Sequence, residues 1–159
     1  MTTINKIYEW LEEVKDPEIP VLSLVDLGVI THVDVSANEI KIEMTPTFVG
    51  CPALDYMKAE VEELLKKKGM ENVNVEVNFK KAWSSDLISE KGRAALKKYG
   101  FAPPPSAHIF VDLGILENAI CPRCSNTNTE MKSPFGPTLC RSIYYCNDCR
   151  EAFEQFKAI

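Results

Sequence analysis

The chain has 159 residues, 45% of them hydrophobic and 26% charged, which is the make-up of a folded globular protein and excludes an extended disordered one. No apolar run approaches the ~20 residues of a membrane-spanning helix, and Met1-Thr2-Thr3-Ile4-Asn5-Lys6 lacks the charged-then-apolar layout of a secretory leader, so a cytoplasmic protein without a membrane partner is expected. The net charge of −5 argues against a nucleic-acid partner: residues 1–117 carry 13 Lys and Arg against 19 Asp and Glu, and residues 118–159 carry five against four.

Ile4, Ile7, Leu11 and Val14 recur at spacings of three and four beside Trp10, predicting an amphipathic helix over 4–14 capped by Thr2 or Thr3. Asp16-Pro17-Glu18-Ile19-Pro20 breaks it, because each proline disfavours helix in the residue before it. Residues 21–28 are ambiguous, with room for one short helical turn. Residues 29–35 alternate, Ser36-Ala37-Asn38 turns the chain and 39–44 alternate back, so this pair reads as a hairpin. After a loop over 45–52, residues 53–68 carry Leu54, Met57, Val61, Leu64 and Leu65 on one stripe. Lys66-Lys67-Lys68-Gly69 then supplies the cations and glycine that favour a helix C-terminus. Residues 73–79 alternate as a third strand, and 89–99 read as a last helix ahead of Gly100.

The order α-β-β-α-β-α over residues 1–100 implies an α+β fold, a small sandwich of a three- to four-stranded mixed sheet with helices on one face. Phe101-Ala102-Pro103-Pro104-Pro105-Ser106 begins a stiff linker over 101–117, and 118–159 form a C-terminal ribbon.

Cys121-Pro122-Arg123-Cys124 and Cys146-Asn147-Asp148-Cys149 are two Cys-x-x-Cys hooks. Two thiolates at that spacing bite one cation from a tight turn. Two such turns complete a tetrahedron of sulfur at about 2.3 Å from zinc. A structural zinc ribbon is the expectation, with residues 139–145 in its hairpin. The alternatives that the residues leave are an iron tetrathiolate in a rubredoxin-like electron-transfer module, and a redox dithiol or pair of disulfides. Tyr144, Tyr145, Phe153 and Phe156 read as the ribbon's own small core, and Cys140 as buried packing.

Cys51 stands apart, directly before Pro52. Proline is favoured at the first position of a helix, which would set this thiol at a helix N-terminus, where thiolate is favoured. A functional thiol and a small buried cysteine both suit that position. Asp16, Glu18 and Asp26 read as helix stops and caps, or as carboxylates converging near Cys51 on a hard cation. His32 and His108 read as surface or packing residues. The sequence offers no acid–base or nucleophile–base constellation, no Gly-rich phosphate loop and no Glu-x-x-His pair, so an independent enzyme is not expected.

Asp16-Pro17-Glu18-Ile19-Pro20, Asp26-Leu27-Gly28, Thr45-Pro46-Thr47 and Gly50-Cys51-Pro52 together resemble the iron–sulfur assembly domain that bacterial SufT-type proteins share with eukaryotic cytosolic cluster-targeting factors. Fused to a four-cysteine ribbon, and with Ala82-Trp83, Phe135-Gly136, Cys140 and Cys149-Arg150-Glu151-Ala152-Phe153-Glu154-Gln155-Phe156-Lys157, the chain resembles the PaaD family of phenylacetyl-CoA epoxidase accessory subunits over nearly its whole length. The resemblance implies a non-catalytic role in aerobic phenylacetate degradation, assisting the assembly of an iron or iron–sulfur cofactor. Oxygenase and reductase subunits would be its partners, and a homodimer is left open. It also implies that Cys51 holds iron or a cluster transiently, with Asp16, Glu18 and Thr45 shaping its pocket. Three positions depart from the family pattern: Ser125 stands where many ribbons place glycine, position 137 is proline, and His108 is the one candidate ligand in the linker.

Overall fold

The computed structural model describes residues 3–36, 39–105 and 119–157. Thr2, the turn at Ala37 and Asn38, and the linker from Ser106 through His108 lie outside the described residues. Backbone contacts divide the chain into two compact units, Met1–Trp83 with Leu87–Gly92, and Ser84–Asp86 with Arg93–Ile159.

In the first unit, helix α1 (Ile4–Leu11) begins at Thr3, whose hydroxyl accepts the Lys6 amide, and it buries Ile7 and Leu11. It ends three residues before the expected position. The amides of Glu13 and Val14 bond the carbonyls of Trp10 and Leu11 at 2.9 and 3.1 Å, a tightened last turn. Strands β1 (Ile30–Val35) and β2 (Ile40–Met44) pair antiparallel as the alternation predicts. Helix α2 (Leu54–Lys67) then carries the chain across to β3 (Val73–Val77), which pairs parallel to β2. A parallel neighbour requires such a crossover. The result is the mixed three-stranded sheet, order β1-β2-β3. Val33, Ile42 and Val75 lie side by side across it and are buried. Helix α1 packs on β1, α2 packs on β3, and the two helices pack on each other.

Alternation fails once. The register slips between Ile30 and His32, so Ile30 and Val33 are both buried while Thr31 and His32 between them are exposed. The extra residue makes a β-bulge, which reverses the phase of the strand.

Helix α3 (Glu90–Tyr99) contains the change from the first unit to the second. The second unit builds a four-stranded sheet, order β4-β7-β6-β5, from β4 (Phe101–Ala102), β5 (Thr129–Ser133), β6 (Arg141–Cys146) and β7 (Ala152–Phe156). Phe101 and Ala102, expected in the linker, are instead an edge strand paired in parallel with Glu154 and Gln155. The cause is burial: Ala102 is 1% exposed and belongs to a core with Ala119, Cys121, Tyr144, Cys146 and Phe153. The Tyr144 and Phe153 rings stack at 5.7 Å, and Phe156 and Cys140 are buried, all as expected. Tyr145 is only half-buried, with the Lys132 ammonium 5.5 Å from its ring. Among the described residues no helix is long and apolar enough to cross a membrane.

Candidate metal centre and the Cys51 loop

The two hooks repeat one backbone shape. In the first, the Ser125 amide bonds the Cys121 carbonyl and the Cys121 amide bonds the Asn126 carbonyl, each at 2.9 Å. In the second, Arg150 bonds Cys146 and Cys146 bonds Glu151, again each at 2.9 Å. Ser125 and Arg150, each directly after a hook, both have φ of +61°. Left-handed backbone is costly for a residue with a Cβ. Its appearance at matched positions marks two turns shaped to aim sulfurs inward.

Those sulfurs meet across the hooks. Cys121 Sγ lies 3.6 Å from Cys149 Sγ, Cys124 Sγ lies 3.5 Å from Cys146 Sγ, and all four come within 4.8 Å of one another. A disulfide would draw a pair to about 2.05 Å. Four sulfurs at ~2.3 Å from one tetrahedral ion sit ~3.8 Å apart. The cluster therefore fits a single thiolate-bound metal ion and not two disulfides. Backbone amides of Cys149 and Asp148 point at Cys146 Sγ and hold that thiol down at about 7, whereas burial pushes Cys149 up to about 12. A divalent cation removes the conflict, because it favours thiolate on every ligand.

Around Cys51, expected to hold iron or a cluster transiently, the side chains are arranged differently from the hooks. Among the described residues, the four hook cysteines form the one group of three or more His, Cys, Asp or Glu side chains with converging ligand atoms. Asp16, Glu18, Asp26 and Cys51 form no such group. The Asp16 carboxylate instead accepts the amides of Glu18 and Ile19 at 2.9 and 2.8 Å, fixing the turn at Pro17. Glu18 is exposed. Thr45 is 5% exposed; its amide bonds the Val29 carbonyl at 2.8 Å and its hydroxyl donates to the Asn78 carbonyl at 3.1 Å. It lines a cavity of about 390 Å³ with Thr31, Glu43, Asn78 and Lys81, which Cys51, Asp16 and Glu18 do not reach.

Helix α2 starts at Leu54 with Ala53 as its cap, so Pro52 precedes the cap and Cys51 lies two residues before it. That is further out than a proline at the first helical position would place it, and the helix field fades beyond the terminal turn. Cys51 is half-buried, its carbonyl accepting the Leu54 amide at 3.2 Å. Gly50 beside it has φ of +85° and open space where a Cβ would stand.

Sequence reasoning missed the lock that holds the second loop. Gly28, at φ +74°, lies so close to Leu87 that an added Cβ would come within 2.5 Å of its side chain. Trp83 donates its indole N–H to the Leu27 carbonyl at 3.0 Å. Asp26, 6% exposed, accepts the hydroxyls of Ser23 and Ser89 at 2.8 and 2.7 Å. Ser89 in turn accepts the Gly92 amide, capping α3. Asp26 is thus a structural carboxylate. The signal was present as Ser23-x-x-Asp26 and as Ser89 ahead of a helix.

Comparison with known proteins assigns the two halves separately. Residues 4–77 match a family described as iron–sulfur cluster assembly protein, and residues 109–157 match the PaaD zinc β-ribbon domain. A protein of Escherichia coli K12, provisionally named as one of the subunits of 1,2-phenylacetyl-CoA epoxidase, is 35% identical over 98% of this chain and 93% of its own length. An Fe–S protein maturation auxiliary factor of Porphyromonas gingivalis is 36% identical over 64% of this chain and 94% of its own. Among solved structures, a domain of unknown function from Bacillus anthracis is 32% identical, with a TM-score of 0.55 over 58% of this chain and 89% of that one. A conserved hypothetical protein of Thermotoga maritima is 30% identical, with a TM-score of 0.52 over 62% of this chain and 95% of that one.

Proposed function

Since the chain belongs to the PaaD family of 1,2-phenylacetyl-CoA epoxidase subunits, we propose that it is a non-catalytic maturation subunit that helps load iron or an iron–sulfur cofactor into a client of such a multicomponent monooxygenase. The observation that carries this reading is the division of thiols. Four cysteines crowd within 4.8 Å of one another in the second unit, and Cys51, half-buried, sits in a loop of the first.

The two sets suit opposite tasks. Four thiolates with amides directed at their sulfurs hold a permanent ion, and that ion is zinc in this proposal. A single sulfur binds cargo weakly enough to release it. Cys51 is the transient ligand, and the open side of Gly50 gives the cargo room. Asp16 and Thr45 serve by bracing the loops around it, through the hydrogen bonds each already makes. Glu18, exposed, is the carboxylate with free oxygens to offer incoming iron.

The test is Cys51→Ala in cells that express the complete oxygenase. The variant should keep its fold and one equivalent of zinc, while the client protein loses its iron. Client iron at the wild-type level would reject the proposal. The purified wild-type protein should be colourless; a red protein with thiolate-to-iron absorption would instead make the ribbon a rubredoxin-like electron carrier.

A further inference from the structure

We propose that the cleft between the end of α3 and the first cysteine hook is the docking site for an acidic segment of the client protein. The cleft has a volume of about 760 Å³ and lies wholly within the second unit; its walls include Lys97, Lys98, Tyr99, Pro122 and Arg123. The inference rests on the reading that this chain serves a client, and names where that client is held.

Charge is the first argument. The chain as a whole carries −5, yet three cations line this one concavity. The negative end of helix α3 accounts for Lys97 and Lys98. It does not account for Arg123, which arrives from a different segment. Arg123 is 60% exposed and reaches Glu151 only at 3.7 Å, leaving most of its N–H donors unused. Lys97 makes a long contact of 3.5 Å to the Ser125 hydroxyl, and Lys98 has no ion pair among the described residues.

The second argument is a prepositioned aromatic. Tyr99 is 53% exposed, but its ring is backed by Phe101 at 5.3 Å, and the Arg141 guanidinium lies 5.4 Å from the Phe101 ring. Tyr and Arg are among the residue types enriched at protein–protein hot spots, and this cleft presents both. Nucleic acid would need an extended cationic track. Residues 118–159 hold only five cations against four anions, and four metal-bound thiolates lower that balance further. A short acidic peptide segment needs no more than the cleft provides.

Affinity for the purified oxygenase and reductase subunits of the epoxidase, measured by calorimetry at low and moderate salt, tests the site. Lys98→Glu, which lies outside the hook, should weaken binding on the order of tenfold or more and flatten its salt dependence. Lys66→Glu in the first unit should change nothing, and zinc content should be equal in all variants. Tyr99→Ala should weaken binding without altering the salt slope. Binding that survives Lys98→Glu and Lys97→Glu together overturns the site while leaving the client reading intact. Charge reversal that changes only retention of an RNA or DNA oligonucleotide also overturns it. A wild-type protein that binds neither partner overturns the site, and the client reading with it only if Cys51→Ala also leaves client iron unchanged.

Discussion

Ser125 and Arg150 show how much a single backbone angle can be asked to carry. Each follows a hook, each has φ of +61°, and each is required there because the amide after the second cysteine must turn back to the carbonyl of the first. For a residue with a Cβ that conformation costs about 1–2 kcal/mol, whereas glycine adopts it freely at a cost of about 0.5–1 kcal/mol in unfolded-chain entropy. Ser125→Gly should therefore raise the stability of the ribbon by about 0.5 kcal/mol, after allowance for the weak 3.5 Å bond from Lys97. A far-UV circular dichroism denaturation curve reads this, and a lower midpoint for the variant would contradict the strain argument.

At the level of helices and strands, the sequence was legible wherever one periodicity ran undisturbed. Helix α2 and strand β2 are found within a residue of expectation because their apolar positions keep a single phase. The hooks were legible because their spacing alone fixes their chemistry. What escaped notice depended on distant partners. β4 is two residues long and exists through its pairing with β7, β5 carries one apolar residue in five, and the bulge at Thr31 leaves no mark on composition. The structural reading of Asp26 was open from the sequence, but its bond to Ser89, 63 positions away, was not. Burial raises its pKa, but hydrogen bonds from Ser89 and Ser23 and the Lys91 ammonium outweigh burial and hold it below the ordinary 3.8. A depressed folded-state pKa gives stability that is present above the unfolded value and lost as pH falls through the folded one. The first unit should accordingly weaken as pH drops below about 4. Asp26→Asn should be less stable at neutral pH by about 1–3 kcal/mol and show a shallower acid limb. An acid limb as steep as that of the wild type would mean that other carboxylates carry it.

For the whole molecule, the two units differ in what holds them together. The first buries an ordinary core of Ile, Leu, Val and Met, with Ile7, Leu11, Leu22, Leu24, Ile42, Val61 and Leu65 all at 0% exposure. In the second, two of the six members of the central cluster, Cys121 and Cys146, are themselves members of the metal-binding group. Loss of an ion from that cluster should therefore weaken the second unit, since metal binding at structural zinc sites is worth roughly 10–16 kcal/mol. Both tryptophans, Trp10 and Trp83, lie in the first unit, so their emission follows the unfolding of that unit. Stripping the metal with a strong chelator should abolish much of the β-signal in circular dichroism and leave tryptophan emission unchanged. Urea unfolding followed by that emission should then keep its midpoint in the stripped protein. If the tryptophan transition moves together with metal loss, the first unit depends on the second for its stability, and the separation of a self-supporting fold from a metal-supported one is wrong.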